Sequence, residues 1–257
     1  MISVEPYEGG EVGAFRILDA DGRAYVFKLQ PAGLAPQTTE VLRPLGYPVP
    51  RYVSWGDGYH VQEELPGTPA WRGWGMGGAR PFVPRLLELN ELQEGRGLED
   101  GDSWLEMLRT SVTTGFRGYS ITETLERRSD ESRELLRLCR RAVGRYAAAV
   151  RPARDVVHWD FTLSNVLVED GRVSGVIDWG GTRTGDRLFD LATLVYYAKG
   201  EAPELERHVV ERIGDEGLSV YLAHMCVRQS DWSLRRHGLE HGDEVVAYSL
   251  GLARRFP

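Results

Sequence analysis

The sequence predicts an α+β fold of two lobes: a small N-terminal antiparallel sheet with one helix, then a larger, mostly helical C-terminal lobe. Three observations predict it. Residues 1–65 alternate β-prone runs with glycine turns. Residues 131–150 carry apolar side chains at three- and four-residue steps, the period of a helix face. Beyond them, a polar stretch, HWDFTLSNVL (His158–Leu167), returns through a short hairpin to VIDWGG (Val176–Gly181).

In the first lobe, Phe15–Leu18 and Ala24–Leu29 are β-prone and joined at Asp21-Gly22, a pair suited to a tight hairpin turn. Pro36–Leu45 reads as the one helix. Pro36 fits a first turn, where its missing N–H costs no hydrogen bond, and Pro44 with the following GYPVP ends the helix. Arg51–Trp55 and Tyr59–Leu65 follow as strands around Gly56-Asp57-Gly58, and Pro66-Gly67 closes the lobe. The strand-rich unit therefore closes at residue 65, with residues 66–257 after it.

Thr68–Gly101 is rich in Gly, Trp and Pro and takes no clear assignment. Its WRGWGMGG run (Trp71–Gly78) reads as a linker whose tryptophans pack on the next helix, or as an aromatic rim near a ligand. In ESRELLRLCRRAVGRYAAAV, Leu135, Leu138, Cys139, Ala142, Tyr146 and Val150 define an apolar helix stripe. Val166–Val168 and Val173–Ile177 form a hairpin around Glu169–Arg172. From Asp190 the chain is helical, with turns near Lys199–Pro203, Ile213–Gly217 and Gly238–Gly242.

Composition narrows the function. No apolar run approaches the ~18 residues of a membrane span. The first residues lack the basic and apolar regions of a signal peptide. A cytoplasmic protein with no membrane partner is expected. Cys139 and Cys226 sit in helix-like apolar surroundings and are expected to be buried free thiols. A net charge of −7 argues against a nucleic-acid binder and suits a cationic small molecule. Lys28 and Lys199 are the only lysines among 31 Lys plus Arg. Where arginine is the default cation, a strand lysine marks a place that wants a compact charge.

The polar stretch carries chemistry. Asp160 and Asn165 stand five positions apart on a loop, and the hairpin brings Asp178 back beside Asn165. Phosphoryl transfer from a nucleotide needs a carboxylate to orient and deprotonate the acceptor hydroxyl, and oxygen ligands to hold Mg²⁺ against the phosphates. Asp160, Asn165 and Asp178 supply that set. GDRLFDLA (Gly185–Ala192) then opens a helix. No Ser-His-Asp arrangement stands out.

HWDFTLSN, VIDW and GDRLFDLA resemble the motifs of the aminoglycoside phosphotransferase and choline-kinase-like family, relatives of the protein kinases. The resemblance is specific between about residues 156 and 194 and looser over the rest of the chain. It implies a two-lobed protein-kinase-like fold. It implies Asp160 as catalytic base, Asn165 and Asp178 as ligands of two Mg²⁺ ions, His158 bracing the loop, and Asp190 holding that loop from the next helix. The sequence departs from the family in one place: Trp159 stands where glycine is common, an expected change of packing rather than of chemistry.

By the same resemblance, residues 1–65 would bind ATP or GTP and residues 66–257 would carry catalysis and substrate. Lys28 would pair with the phosphates and Glu40 would hold Lys28. Gly9 and Gly10, in EGGEVGAF (Glu8–Phe15), would cover the phosphates with backbone amides. Backbone groups near Glu63–Leu65, in the hinge run His60–Gly67, would meet the purine. Asp231, with Trp232 beside it, is the candidate for contacting the acceptor. The acceptor expected is an antibiotic such as an aminoglycoside or a cationic peptide, with an amino alcohol or sugar as the alternative. A protein kinase is disfavoured because only Gly180–Leu188 separates IDW from FDLA, leaving little room for an activation loop. A non-catalytic nucleotide-binding module is the third reading. A monomer or homodimer is expected.

Overall fold

The computed structural model describes residues 3–7, 13–73, 82–99, 104–115, 122–150 and 152–257. The first lobe forms β1 (Ser3–Pro6), β2 (Ala14–Leu18), β3 (Ala24–Lys28), β4 (Tyr52–Gly56) and β5 (Tyr59–Glu63). They make one five-stranded antiparallel sheet in the order β1-β2-β3-β5-β4. Register pairs Arg16 with Val26, Val26 with Gln62 and Lys28 with His60. Because strand side chains alternate, these residues share one face, and Phe15, Phe27 and Tyr59 take the other. Ring centroids there lie 6.1 Å (Phe15–Phe27) and 6.2 Å (Phe27–Tyr59) apart. Strand β1 was not anticipated. At four residues ending in Pro6, it is too short for an alternation signal and forms only as an edge strand on β2.

The expected helix over Pro36–Leu45 is α1 (Ala35–Leu42) followed by a 3₁₀ turn, Arg43–Leu45. Pro44 has no N–H to continue the α-helical ladder, so the chain tightens and exits through Gly46 at φ 79°. Further strands are β6 (Thr68–Pro69), β7 (Asp155–Val157), β8 (Val166–Glu169), β9 (Arg172–Val176) and β10 (Arg183–Gly185). They form a three-stranded sheet, β6-β8-β9, and a two-stranded one, β10-β7. The β8–β9 hairpin matches the sequence expectation. Its turn residues Asp170 and Gly171 have φ of 49° and 74°, the positive pair that a two-residue hairpin turn demands. The β7–β10 pairing joins segments far apart in sequence and left no local signal.

The unassigned stretch after Pro66 yields the 3₁₀ turn Ala70–Gly73 and α2 (Val83–Leu92). Trp71 is exposed, whereas Trp74–Gly78 of the WRGWGMGG run lie outside the described residues. The remaining helices are α3 (Trp104–Thr113), α4 (Thr122–Arg128), α5 (Asp130–Tyr146), α6 (Leu188–Ala198), α7 (Pro203–Arg236) and α8 (Leu239–Ala253). Ser129 caps α5 in a reciprocal box with Ser132, at 3.2 and 3.0 Å, a device that typically stabilises a helix by about 1 kcal/mol. Every position of the expected α5 stripe is buried. The turn expected near Ile213–Gly217 is instead a kink inside α7, at Gly214 with φ 69°.

The chain packs as two units, Met1–Glu99 with Asp155–Asp190, and Asp100–Arg154 with Leu191–Pro257. The first holds all the strands with α1 and α2, and α6 begins in it. Leu42, Leu86, Leu89, Val157, Phe161 and Trp179 form its interior. In the second, α7 packs along α5 and α8 over Leu108, Leu135, Cys139, Val220, Tyr221 and Met225. Cys139 and Cys226 are buried free thiols, and burial pushes the Cys139 thiol well up. Among the described residues, no helix is long and apolar enough to cross a membrane.

Candidate active site

Strand β7 delivers the polar stretch. His158, the residue after the strand, is fully buried, flanked by Phe161 at 5.7 Å and Trp179 at 4.5 Å between ring centroids. His158 Nε2 lies 2.8 Å from the Ile177 carbonyl. A carbonyl only accepts, so Nε2 carries the proton. Burial drives the imidazole pKa below its usual value, which keeps the ring neutral. His158 thereby clips the Asp160 loop to the residue before Asp178.

The loop between is closed by its own backbone. Thr162 N–H donates to the Asp160 carbonyl at 2.8 Å, and Asn165 N–H to Thr162 at 3.0 Å. The Asn165 amide nitrogen donates to the Asp160 carbonyl at 2.8 Å and to Asp160 Oδ2 at 3.3 Å. That leaves the Asn165 amide oxygen as the group able to face a cation. Asp160 is half-buried. Ile177 N–H donates to the Asn165 carbonyl at 2.9 Å, so the two candidate metal ligands flank one hydrogen bond.

Asp178 takes left-handed backbone, φ 65° and ψ 53°, a region that Asp enters more readily than most residues. Lys28 Nζ donates to its Oδ1 at 2.8 Å. Burial works to raise the Asp178 pKa, but the adjacent Lys28 ammonium outweighs it and holds the carboxyl below its usual range. Among the described residues no cluster of three His, Cys, Asp or Glu could bind a metal. The pair formed by the Asn165 amide oxygen and the ionised Asp178 carboxylate nevertheless fits Mg²⁺, a hard cation that takes few protein oxygens and completes its shell with phosphate and water.

Asp190, at the start of α6, braces the loop from behind. Its carboxylate accepts from His158 N at 2.8 Å, Trp159 N at 3.0 Å and Gln93 Nε2 at 2.8 Å. Burial still pushes its pKa up to about 7. The polar network behind it was not anticipated. Gln93 also holds Val156 through both its side chain and its backbone carbonyl. Arg187 bonds Asn90 Oδ1 at 3.0 Å and Glu91 at 2.7 Å, and Asp155 accepts from the Arg187 and Gly95 backbone. A usable signal existed: Asn90 and Gln93 fall on the apolar stripe set by Leu86 and Leu89, where a polar residue needs buried partners.

The other expected residues are placed as follows. Lys28 and Glu40 do not pair. Glu40 is exposed and bonds Arg43 at 2.6 Å, its neighbour three residues along the helix, while Lys28 bonds Asp178. Gly9 and Gly10 lie outside the described residues. Glu63 ends β5 with its N–H on the Arg51 carbonyl at 2.8 Å. Leu65 is half-buried and packs so tightly on β9 that a Cβ at Gly175 would stand 2.8 Å from its Cδ1. Asp231 is no surface carboxylate. It is fully buried in α7 and accepts from Arg235 at 2.7 Å. Trp232 beside it carries the Arg236 guanidinium 5.2 Å from its ring centroid.

With this geometry in hand, comparison with known proteins is decisive for the family. The model of the phosphotransferase enzyme family matches residues 3–222. The chain belongs to that family. Among curated proteins, this phosphotransferase-family chain is 30% identical over 87 residues to hygromycin-B 4-O-kinase of Escherichia coli. It is 39% identical over 59 residues to an aminoglycoside 3'-phosphotransferase of Escherichia coli. The matched stretches span 26% and 22% of those proteins, and 32% and 23% of this chain.

The fold agrees. A thermostable mutant of aminoglycoside phosphotransferase APH(4)-Ia, solved in ternary complex with ADP and hygromycin B, superposes with a TM-score of 0.78 at 17% identity. That match covers 98% of this chain and 93% of the other. Macrolide 2'-phosphotransferase MphH from Brachybacterium faecium gives a TM-score of 0.63 at 14% identity, over 96% and 91% of the two chains. The phosphotransferase-family chain thus has the small antiparallel-sheet lobe and larger helical lobe expected from its sequence.

Proposed function

We propose that this chain transfers the γ-phosphoryl group of ATP or GTP to a hydroxyl of a small molecule, an antibiotic such as an aminoglycoside or a cationic peptide. The observation that carries the reading is the Lys28–Asp178 contact of 2.8 Å, tied through His158 and Ile177 to the Asp160–Asn165 loop. It supports the reading because it brings Lys28, the expected phosphate partner, from a distant strand onto the segment that carries Asp160, Asn165 and Asp178. The division of roles, with residues 1–65 for nucleotide and 66–257 for catalysis and acceptor, belongs to the same proposal.

In the reaction, Asp160 accepts the proton of the acceptor hydroxyl as its oxygen attacks the γ-phosphorus. The bond from that phosphorus to the bridging oxygen breaks, and the nucleoside diphosphate leaves with the electron pair. Lys28 moves its ammonium from Asp178 to phosphate oxygens, where its compact charge offsets the developing negative charge. Asn165 and Asp178 would hold Mg²⁺, which would supply further neutralisation of the phosphates. His158 and Asp190 hold the Asp160 peptide in place and take no proton. Three facts support an antibiotic acceptor: the names of the two curated matches, the hygromycin B and ADP bound in the solved relative, and the net charge of −7.

The test is direct. The protein is incubated with Mg²⁺ and ATP or GTP against aminoglycosides, peptide antibiotics, amino alcohols, sugars and a generic protein, and products one phosphoryl unit heavier are sought by mass spectrometry. Phosphorylation of an antibiotic is expected, and Asp160→Ala should abolish it while nucleotide still binds. Transfer only to an amino alcohol or sugar would make the chain a metabolite kinase. Tight nucleotide binding without any product would make it a binding module.

A further inference from the structure

The residue immediately before Asp160 is gripped from several sides. Trp159 is 1% exposed and has φ 77°, left-handed backbone that a bulky side chain keeps only where its surroundings over-determine it. Its indole stacks on Phe189, with ring centroids 5.0 Å apart and planes 15° apart. The Arg183 guanidinium lies 3.9 Å from the indole centroid, and the Arg183 Nε donates to the Gly181 carbonyl at 3.3 Å. Gly181 itself comes so close that a Cβ there would stand 3.2 Å from Trp159 Cδ1. Gly181 closes the short turn Trp179–Gly181 that Asp178 opens.

The indole therefore bears on the turn behind Asp178, while its own backbone leads directly into Asp160. A core tryptophan needs none of this. Burial alone would be served by ordinary right-handed or extended backbone and by a neighbour with a side chain in place of Gly181. The sequence keeps both a strained φ and a glycine in order to seat one ring between the two segments that carry the proposed base and the proposed metal ligand. We infer that Trp159 is a positioning residue for phosphoryl transfer: its indole, wedged against Phe189, Arg183 and Gly181, fixes the separation of Asp160 from Asp178. The inference rests on the phosphotransferase reading and deepens it.

The experiment measures kcat and nucleotide KM for the full chain and for Trp159→Gly, Trp159→Phe, Gly181→Ala and the Trp159→Gly/Gly181→Ala double variant, with Asp160→Ala as control. Trp159→Gly relieves the backbone strain but removes the wedge. Its kcat should fall at least about tenfold with nucleotide KM within about twofold, the signature of a misplaced base rather than lost binding. Trp159→Phe keeps a ring on Phe189 and should recover most of the rate. Gly181→Ala should lower kcat in the wild-type background and cost nothing further once the indole is gone, a non-additive pair.

A merely structural tryptophan would lower the melting temperature and leave the kcat of the folded protein unchanged. Wild-type kcat in folded Trp159→Gly, or losses that multiply in the double variant, overturns the proposal alone. If Trp159→Gly does not fold, Gly181→Ala decides, and an unchanged kcat there overturns it. An inactive wild type, or an active Asp160→Ala, overturns the phosphotransferase reading and this inference with it.

Discussion

Lys28 and Asp178 are 150 residues apart in sequence and 2.8 Å apart in space. The Lys28 side chain is 15% exposed and the Asp178 side chain 39%, so the contact is sheltered on the lysine side. In the proposed reaction the lysine would engage the nucleotide's phosphates and the carboxylate would hold their metal ion.

Replacing that lysine tests the pairing. Lys28→Met keeps the stem, which packs on the sheet, and removes only the charge. kcat/KM for the nucleotide should drop about a hundredfold, equivalent to about 2.7 kcal/mol of transition-state stabilisation. Steady-state kinetics over nucleotide concentration measures it. A loss under threefold would remove Lys28 from the site.

Asp178→Asn addresses the metal. Asparagine accepts left-handed backbone nearly as well as aspartate, so the φ of 65° is preserved and the fold should hold within about 1 kcal/mol. One anionic oxygen is lost, so half-maximal activity should need roughly tenfold more Mg²⁺, with kcat well below wild type. Activity titrated with Mg²⁺ and a melting curve separate the two effects. An unshifted Mg²⁺ dependence would contradict the ligand assignment.

Acid stability depends on two buried groups of opposite sign. His158 has a folded pKa below its unfolded value of about 6.5, so its contribution is present above that pH and is lost on acidification. Asp190 has a folded pKa of about 7 against an unfolded value of about 3.9, so its contribution is present at low pH and is lost as pH rises from about 4 to about 7. Between pH 7 and 5 they oppose each other. Asp190→Asn removes the compensating term, and its melting temperature should fall more steeply from pH 7 to 5 than that of the wild type. Each unit of uncompensated histidine linkage is worth at most about 1.4 kcal/mol. Parallel slopes for the two proteins would refute this account.

Gly67 has φ 108°, and a Cβ there would stand 2.3 Å from Ser174 Oγ and 3.0 Å from the Val168 carbonyl oxygen. Ser174 Oγ already donates to the Pro66 carbonyl at 2.7 Å. Gly67→Ala combines backbone strain with a clash and should destabilise by about 2–4 kcal/mol. For a chain of this size that is a fall of roughly 5–10 °C in melting temperature, read by calorimetry. Gly58→Ala, whose Cβ would meet nothing within 4 Å, is the control and should melt close to wild type.

Much of this was legible in the sequence, because the signals are local. Leu135, Cys139 and Ala142 announce α5 by their spacing, and all are buried. Asp170-Gly171 announces the β8–β9 hairpin because few other pairs tolerate two positive φ angles. What stayed hidden depends on distant partners. Strand β7 has only three residues and exists because β10 pairs with it. Asn90, Gln93 and Arg187 look like ordinary helix polar residues until the fold buries them together behind Asp190.

The sequence by itself determined which chemical groups this protein owns and in what order: a lone strand lysine, the Asp160–Asn165 step, and an aspartate returned by a hairpin. Those are properties of residue type and short spacing. Only the tertiary structure decided the partners. It gave Lys28 to Asp178 and Glu40 to Arg43, and it made Asp231, the candidate acceptor contact, a buried partner of Arg235. It also set Trp159 against Gly181. The reason is physical. A charge pairs with the nearest opposite charge that burial leaves available, and that neighbour is chosen by how sheets and helices pack, which no local window of sequence contains.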